Sequence, residues 1–326
     1  MAAISAEMRE ELRQAALDYY NSRGGVAPPG AWAHATAAML PKDAAPRITR
    51  MRPIIPNSLV EKAAVGTIIQ ECAEDLKPSH TLSVGFRSGV GALDAQLPLR
   101  LAVEKCTEYG EELYVARVDI DDAFGSLSYM DCLRSLEKRI GATRAYALTR
   151  GAATQNIRAS WAGWRGDFHR WRRGSRQGAP ESPTLWAVAM DDAMGPLVTS
   201  WNGRGFGVEV PRLTGETGAE PHCAMDGHDR LTHVIYADDV FLVARSRAQL
   251  ATMLTEMLRA LAGHGFGFQW GKVRVWANRE NEAPLTVEGV AVEFVDDLEI
   301  LGHVLSMDQN AAMAHREALA WRKVLR

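Results

Sequence analysis

Ile235-Tyr236-Ala237-Asp238-Asp239-Val240 is the stretch on which the reading of this chain turns. Apolar β-formers stand on either side, residues 231–236 before the acids and 240–244 after them, so the sequence predicts two strands joined by a tight turn that projects the carboxylates. Asp is a common turn residue, and an isolated Asp-Asp carries little meaning. A second run changes that. Val115-Ala116-Arg117-Val118-Asp119-Ile120 is also apolar and β-branched and also delivers an acid, followed by Asp121, Asp122, Ala123 and Phe124. Carboxylates that share a site repel unless a cation holds them, so the expectation is that Asp119, Asp238 and Asp239 converge around metal.

Between the two runs lies Gly174-Ser175-Arg176-Gln177-Gly178-Ala179-Pro180-Glu181-Ser182-Pro183. Together the three stretches resemble the reverse transcriptases, most closely those of non-LTR retrotransposons. Their palm is marked by an acid five residues before a Phe or Tyr, a Gly-x-x-Gln-Gly-x-x-x-Ser-Pro loop and Tyr-Ala-Asp-Asp. The resemblance runs over roughly residues 39–305. It implies an α+β fold of right-hand polymerase fingers and palm, with an antiparallel palm sheet carrying helices on one face. The implied division is an N-terminal extension at 1–38, fingers at 39–118 and palm at 119–305, with a basic finger-like insertion at 139–173. Residues 306–326 read as the start of a truncated thumb, and no endonuclease domain precedes Pro41.

The implied reaction is RNA-directed DNA synthesis with RNA template, DNA primer and dNTPs as partners. Phosphodiester formation needs an activated 3′-hydroxyl and neutralised charge on the α-phosphate and pyrophosphate, which two Mg²⁺ ions supply, with Mn²⁺ as a substitute. Magnesium takes hard oxygen ligands, so Asp119, Asp238 and the Ile120 carbonyl are candidate donors, with Asp239 assisting. Phe124 falls where the family places a ring beneath the nucleotide sugar. Gln177 and Gly178 fall against the base pair and template backbone. Lys42 and Arg52 match a Pro-Lys…Arg-Pro-Ile pattern that reaches the triphosphate. Arg87, in Gly85-Phe86-Arg87, is a template or phosphate candidate, and the nearby glycines permit close backbone approach. Lys272 falls on the family's Gly-Leu…Asn…Lys-Thr strand, where it could protonate pyrophosphate. Leu298-Glu299-Ile300-Leu301-Gly302 resembles the primer-grip hairpin. Three positions depart from the pattern: Gly125 replaces an acid, Gln269 an Asn and Val273 a Thr. None of them is a metal ligand. Two alternatives stay open: a catalytically inactive retroelement remnant acting only as a nucleic-acid-binding fold, and an RNA-dependent RNA polymerase, against which Phe124 and Tyr236-Ala237 argue.

The formal net charge of −3 gives no global sign of a nucleic-acid partner. Its distribution does. Residues 139–176 hold nine arginines against one acid, Asp167, interleaved with Trp161, Trp164, Phe168, His169 and Trp171. Guanidinium groups pair with phosphates and aromatic faces stack on bases, so this segment reads as a single-strand or hybrid track.

The 326 residues suit one large mixed domain or two packed subdomains, and 47% hydrophobic content provides a sizeable core. No apolar run approaches a membrane span and residues 1–25 lack a signal-peptide core, which makes the expected location intracellular, nucleus or cytoplasm. Cys72, Cys106, Cys132 and Cys223 are scattered and read as buried thiols. His222, Cys223, His228 and His233 match no common zinc spacing and read as a polar loop before a strand. Residues 1–22 read as a helix of mixed polarity. Ser58 and Glu61 form a capping box opening a helix to about Leu76, Pro98 predicts a kink, and Ser182-Pro183 reads as an N-cap followed by Pro. After Ser246, the positions Leu250, Met253, Leu254, Met257, Leu258 and Leu261 form a core-facing stripe.

Overall fold

The computed structural model describes residues 34–42, 51–79, 82–87, 89–170, 172–209, 230–279 and 283–308, with isolated positions in the terminal segments. The N-terminal helix, Cys223 with its neighbouring histidines, Trp171 and the beginning of a thumb lie outside the described residues. Among the described residues six helices and fifteen strands build an α+β fold. The chain divides into two units, Met1–Lys77 with Asp122–Met190, and Pro78–Asp121 with Asp191–Arg326.

The first unit is built on a five-stranded mixed sheet. Strand β1 (His34–Pro41) pairs antiparallel with β2 (Met51–Ile54), where Leu40 opposes Arg52, and parallel with β4 (Asn156–Trp161). Two short strands, β5 (Trp164–Arg165) and β6 (His169–Arg170), add antiparallel to β4. Helix α1 (Leu59–Glu71) keeps half of the expected capping box: the Ser58 hydroxyl accepts from the Glu61 N–H at 3.0 Å, but the Glu61 carboxylate is bound to Arg176, and the helix ends at Cys72, short of Leu76. Helices α3 (Tyr129–Ile140) and α4 (Ala142–Thr154) pack on each other.

In the second unit β7 (Val208–Glu209) pairs antiparallel with β8 (Arg230–Leu231), and β12 (Leu285–Val287) with β13 (Val290–Val292). Its four-stranded sheet is antiparallel throughout and is made of β3 (Tyr114–Asp119), β9 (His233–Tyr236), β10 (Asp239–Ala244) and β11 (Arg274–Ala277), in the order β11-β3-β10-β9. Alternation puts Ala116, Val118, Val240 and Leu242 on one face, all buried. Helix α6 (Arg247–Gly263) lies against β3 and β10, with Leu250, Met253, Leu254, Met257 and Leu261 of the sequence stripe buried and Leu258, at its margin, only half-buried. Val115, Val234, Phe241 and Val243 on the other face pack with Ala95, Leu99, Ala102 and Cys106 of α2 (Ala92–Glu108) and with the hairpin of β14 (Asp297–Ile300) and β15 (His303–Ser306). Sheet burial is therefore two-sided away from the strand ends. Pro98 lies inside α2 without interrupting it.

Two local readings are corrected. Helix α5 (Glu181–Gly203) starts one residue before Ser182, whose hydroxyl donates to the Arg176 carbonyl at 2.7 Å and so anchors the preceding loop instead of capping the helix. Lys272 sits on a 3-10 turn, Trp270–Lys272, that precedes β11, not on a strand. Cys72, Cys106 and Cys132 are buried, as their scatter predicts, and burial pushes the Cys72 and Cys106 thiols up from their ordinary range.

Candidate active site

The acids lie in the second unit, at the end of its sheet. Asp239, the first residue of β10, stands directly opposite Asp119, the last of β3. Opposed residues of an antiparallel pair point to the same face with Cβ atoms about 5 Å apart. Tyr236 pairs with Asp239, which leaves Ala237 and Asp238 as a two-residue turn with Asp238 exposed at its tip. Ala237 has φ 56°, the positive value that a hairpin turn of this length demands and that an alanine adopts at a cost.

That turn is braced from outside the sheet. Residues 82–85 run parallel to β9, with the Val84 N–H donating to the Ile235 carbonyl at 2.8 Å and the Ile235 N–H to the Leu82 carbonyl at 2.9 Å. A Cβ on Gly85 would meet the Ala237 nitrogen at 2.1 Å. The close backbone approach expected near Arg87 is thus made within the protein, against the acid-bearing turn. Arg87 follows, half-buried.

Each sheet acid has a cation. Lys272 Nζ lies 2.7 Å from Asp119 Oδ2, and Arg117 places Nε and Nη2 at 3.1 and 2.9 Å from Asp239 Oδ1. Burial holds the Asp239 carboxyl above the ordinary carboxylate range; Arg117 opposes this, while Asp238 and Asp119 reinforce it. Among the described residues no three His, Cys, Asp or Glu side chains are grouped to hold an ion. The donor set nonetheless suits a hard divalent cation, with carboxylates on adjacent strand ends and a backbone carbonyl beside them. The Gln269 N–H donates to the Asp119 carbonyl and the Asp121 N–H to the Gly267 carbonyl, both at 2.9 Å, so by alternation the Ile120 peptide groups face the hairpin.

The remaining candidates lie in the first unit, and backbone bonds of the loop 174–178 reach Phe124 and the end of the strand that carries Arg52. The Ser175 N–H donates to the Phe124 carbonyl at 2.7 Å, and the Ile55 N–H donates to the Gln177 carbonyl at 2.8 Å, just past the strand that carries Arg52. Gly178 has φ 105°, which favours glycine. The Phe124 ring is half-buried, with its centroid 5.7 Å from that of Trp186. Arg52 is exposed on β2, and Lys42 is exposed one residue past Pro41, which opposes Met51. Gly125 has a local reason: a Cβ there would meet the Asp122 carboxylate at 2.0 Å.

The basic segment needs one correction. Arg176 is 1% exposed and Arg150 is 2% exposed, so neither belongs to a surface track. Arg176 is held in the first unit by Glu61 (3.0 Å from Nη2) and Glu181 (3.2 Å from Nε), and by the Gln155 amide oxygen at 2.9 Å from Nη1. Arg165, Arg170 and Arg172 are exposed, as are Trp161 and Trp164, which oppose each other at the β4–β5 turn. Arg158 stacks on Phe168, 4.7 Å from the ring centroid.

Residues 40–305 match the reverse transcriptase (RNA-dependent DNA polymerase) family, and the chain belongs to it. Enzymes of this family use divalent metal ions. No curated protein matches the sequence. Similar solved structures include telomerase from Candida albicans in complex with a TWJ fragment of telomeric RNA, at TM-score 0.53 and 11% identity over 92% of this chain and 48% of that one. Apo telomerase from Candida tropicalis gives 0.55 and 11% over 93% and 53%, and its form truncated from the C-terminal domain 0.54 and 11% over 92% and 59%. At this identity the likeness is one of fold, and the chain spans about half the length of those proteins. No helix among the described residues is long and apolar enough to cross a membrane.

Proposed function

We propose that this chain forms fingers and palm of an RNA-directed DNA polymerase of the non-LTR retroelement type, which extends a DNA primer on an RNA template with dNTPs. The observation that carries the reading is the register of Asp119 against Asp239 with Asp238 at the adjoining turn, in a chain of this family. Asp119, Asp238 and the Ile120 carbonyl would hold two Mg²⁺ ions. Bound there, such ions activate the primer 3′-hydroxyl and neutralise charge on the α-phosphate and leaving pyrophosphate.

The chain's own groups do the rest. Lys42 and Arg52 pair with the triphosphate, and Arg87 with a template phosphate. Lys272, exposed on its stem, gives a proton to the leaving pyrophosphate. Gln177 offers an amide that both donates and accepts against the base pair, and Gly178 lets the template backbone approach. Phe124 sits under C2′ of the incoming sugar.

The test is extension of a DNA primer on an RNA template with Mg²⁺, scored with dNTPs and with rNTPs, for wild type and Phe124→Val. The wild type extends with dNTPs. The variant keeps that extension but loses about tenfold or more of its preference over rNTPs, because exclusion of a hydroxyl by a clash disappears when space opens. An unchanged ratio makes Phe124 core packing beside Trp186 only. Template binding without extension in the wild type is the outcome that fits a binding remnant.

The exposed arginines make a second, independent expectation. Each phosphate neutralised releases counterions, so log K falls with log salt by about 0.9 per contact. Replacing Arg165, Arg170 and Arg172 together by Ala flattens that slope by about 2 to 3. A salt series on RNA that returns the wild-type slope removes these residues from the interface.

A further inference from the structure

Arg117 has no part in the reaction as drawn, yet it makes the most constrained contact in the acid cluster. It lies two residues before Asp119 on β3, hence on the same face. Two of its nitrogens converge on one oxygen of Asp239, and the third, Nη1, reaches the Glu299 carbonyl of β14 at 3.4 Å. Its side chain is 33% exposed and that of Asp239 24%. Lys272 is built differently: its side chain is 58% exposed and a single ammonium meets Asp119. One cation is pinned between two strands; the other hangs on a flexible stem and can leave.

We propose that Arg117 is a positioning residue that holds Asp239 as a permanent partner, so that Asp119 and Asp238 alone face the ions. Resting on the nucleotidyl-transfer reading of the same site, this assigns Arg117 two effects. Its fixed charge lowers the net negative charge of the cluster and so limits its affinity for cations. Its bond to Glu299 ties the acid-bearing hairpin to the β14–β15 hairpin, so that a shift in one is felt by the other.

The experiment pairs two readouts on the whole chain: Mn²⁺ binding without nucleic acid, by spin resonance, and primer extension. In Arg117→Met, Mn²⁺ binds about tenfold tighter, because a charge a few ångströms away has been removed, while kcat falls about thirtyfold and KM for dNTP moves little. A variant damaged only in folding would lose both properties together. Arg117→Lys restores the charge without the two-strand bridge, so Mn²⁺ affinity returns towards wild type and kcat recovers only in part. Asp239→Asn removes a nearby charge but no donor and weakens Mn²⁺ binding about tenfold, whereas Asp119→Asn removes both and weakens it about a hundredfold or more. Equal weakening by the two Asn variants, or unchanged Mn²⁺ affinity in Arg117→Met, overturns the assignment. If Arg117→Met does not fold, the Lys and Asn variants decide. Failure of the wild type to extend a primer refutes the polymerase reading instead, and the Mn²⁺ comparison still judges Arg117.

Discussion

Asp238→Asn abolishes primer extension, by about 10³-fold or more, and leaves the thermal unfolding midpoint where it was. Asp238 is exposed at the turn between β9 and β10. Losing one of three neighbouring like charges relieves repulsion in the ion-free protein, so the fold has nothing to lose. Activity does, because a neutral amide replaces a hard anionic donor where charge develops. A loss of 10³ corresponds to about 4 kcal/mol of transition-state stabilisation, a reasonable share for one ligand of an ion pair. Extension rate and calorimetric melting on the same preparation check this. A melting point that falls in proportion to activity makes Asp238 a structural residue.

Arg176→Met has its large effect on the fold itself. The guanidinium joins α1 through Glu61 to the start of α5 through Glu181, and all three side chains are buried. Removing the cation strands two carboxylates in a low-dielectric interior, which costs about 3–5 kcal/mol. The sign of its pH dependence follows. Burial, partly offset by Arg176, already holds Glu61 above the ordinary carboxylate range. Without Arg176 it rises further, so the folded state binds more protons than the unfolded one and stability falls as pH rises. The deficit of the variant is therefore smaller near pH 5 than near pH 8, as measured by denaturant titration. A deficit independent of pH excludes the stranded carboxylates as its cause.

These two residues mark where the sequence was readable. Asp238 announces itself locally, by two acids between β-formers, and its hairpin and the caps at Ser58 and Ser246 all follow from residues within four positions of one another. Arg176 looked like one more charge in a basic run. Glu181 stands five positions on, but the second carboxylate, Glu61, is 115 positions away and composition carries no information on depth. Arg117 is an intermediate case. Strand alternation places it on the face of Asp119, a signal present in the sequence, but its bond to Asp239 spans 122 positions and needs the register of β3 against β10. Gly85 belongs with Arg176: its glycine was legible, its neighbour Ala237 was not. Lys272 reads from the family pattern as a strand lysine, whereas the 3-10 turn that carries it follows the bridge between Phe268 and Ile120, a pairing nearly 150 positions apart.

The chain path through the two units has a consequence for how the protein is made. Each unit takes its residues from two separated stretches, Met1–Lys77 with Asp122–Met190 and Pro78–Asp121 with Asp191–Arg326. On a ribosome, β1 waits for β4, its parallel partner more than a hundred residues later, and β3 waits longer for β10. Strands with unpaired edges thus persist while more than a hundred further residues are added, the condition under which nascent chains stick to one another and recruit chaperones. For the same reason no single scission releases either unit intact: the backbone crosses from one to the other at 77/78, 121/122 and 190/191, and a proteolytic nick at any one crossing leaves two further covalent links.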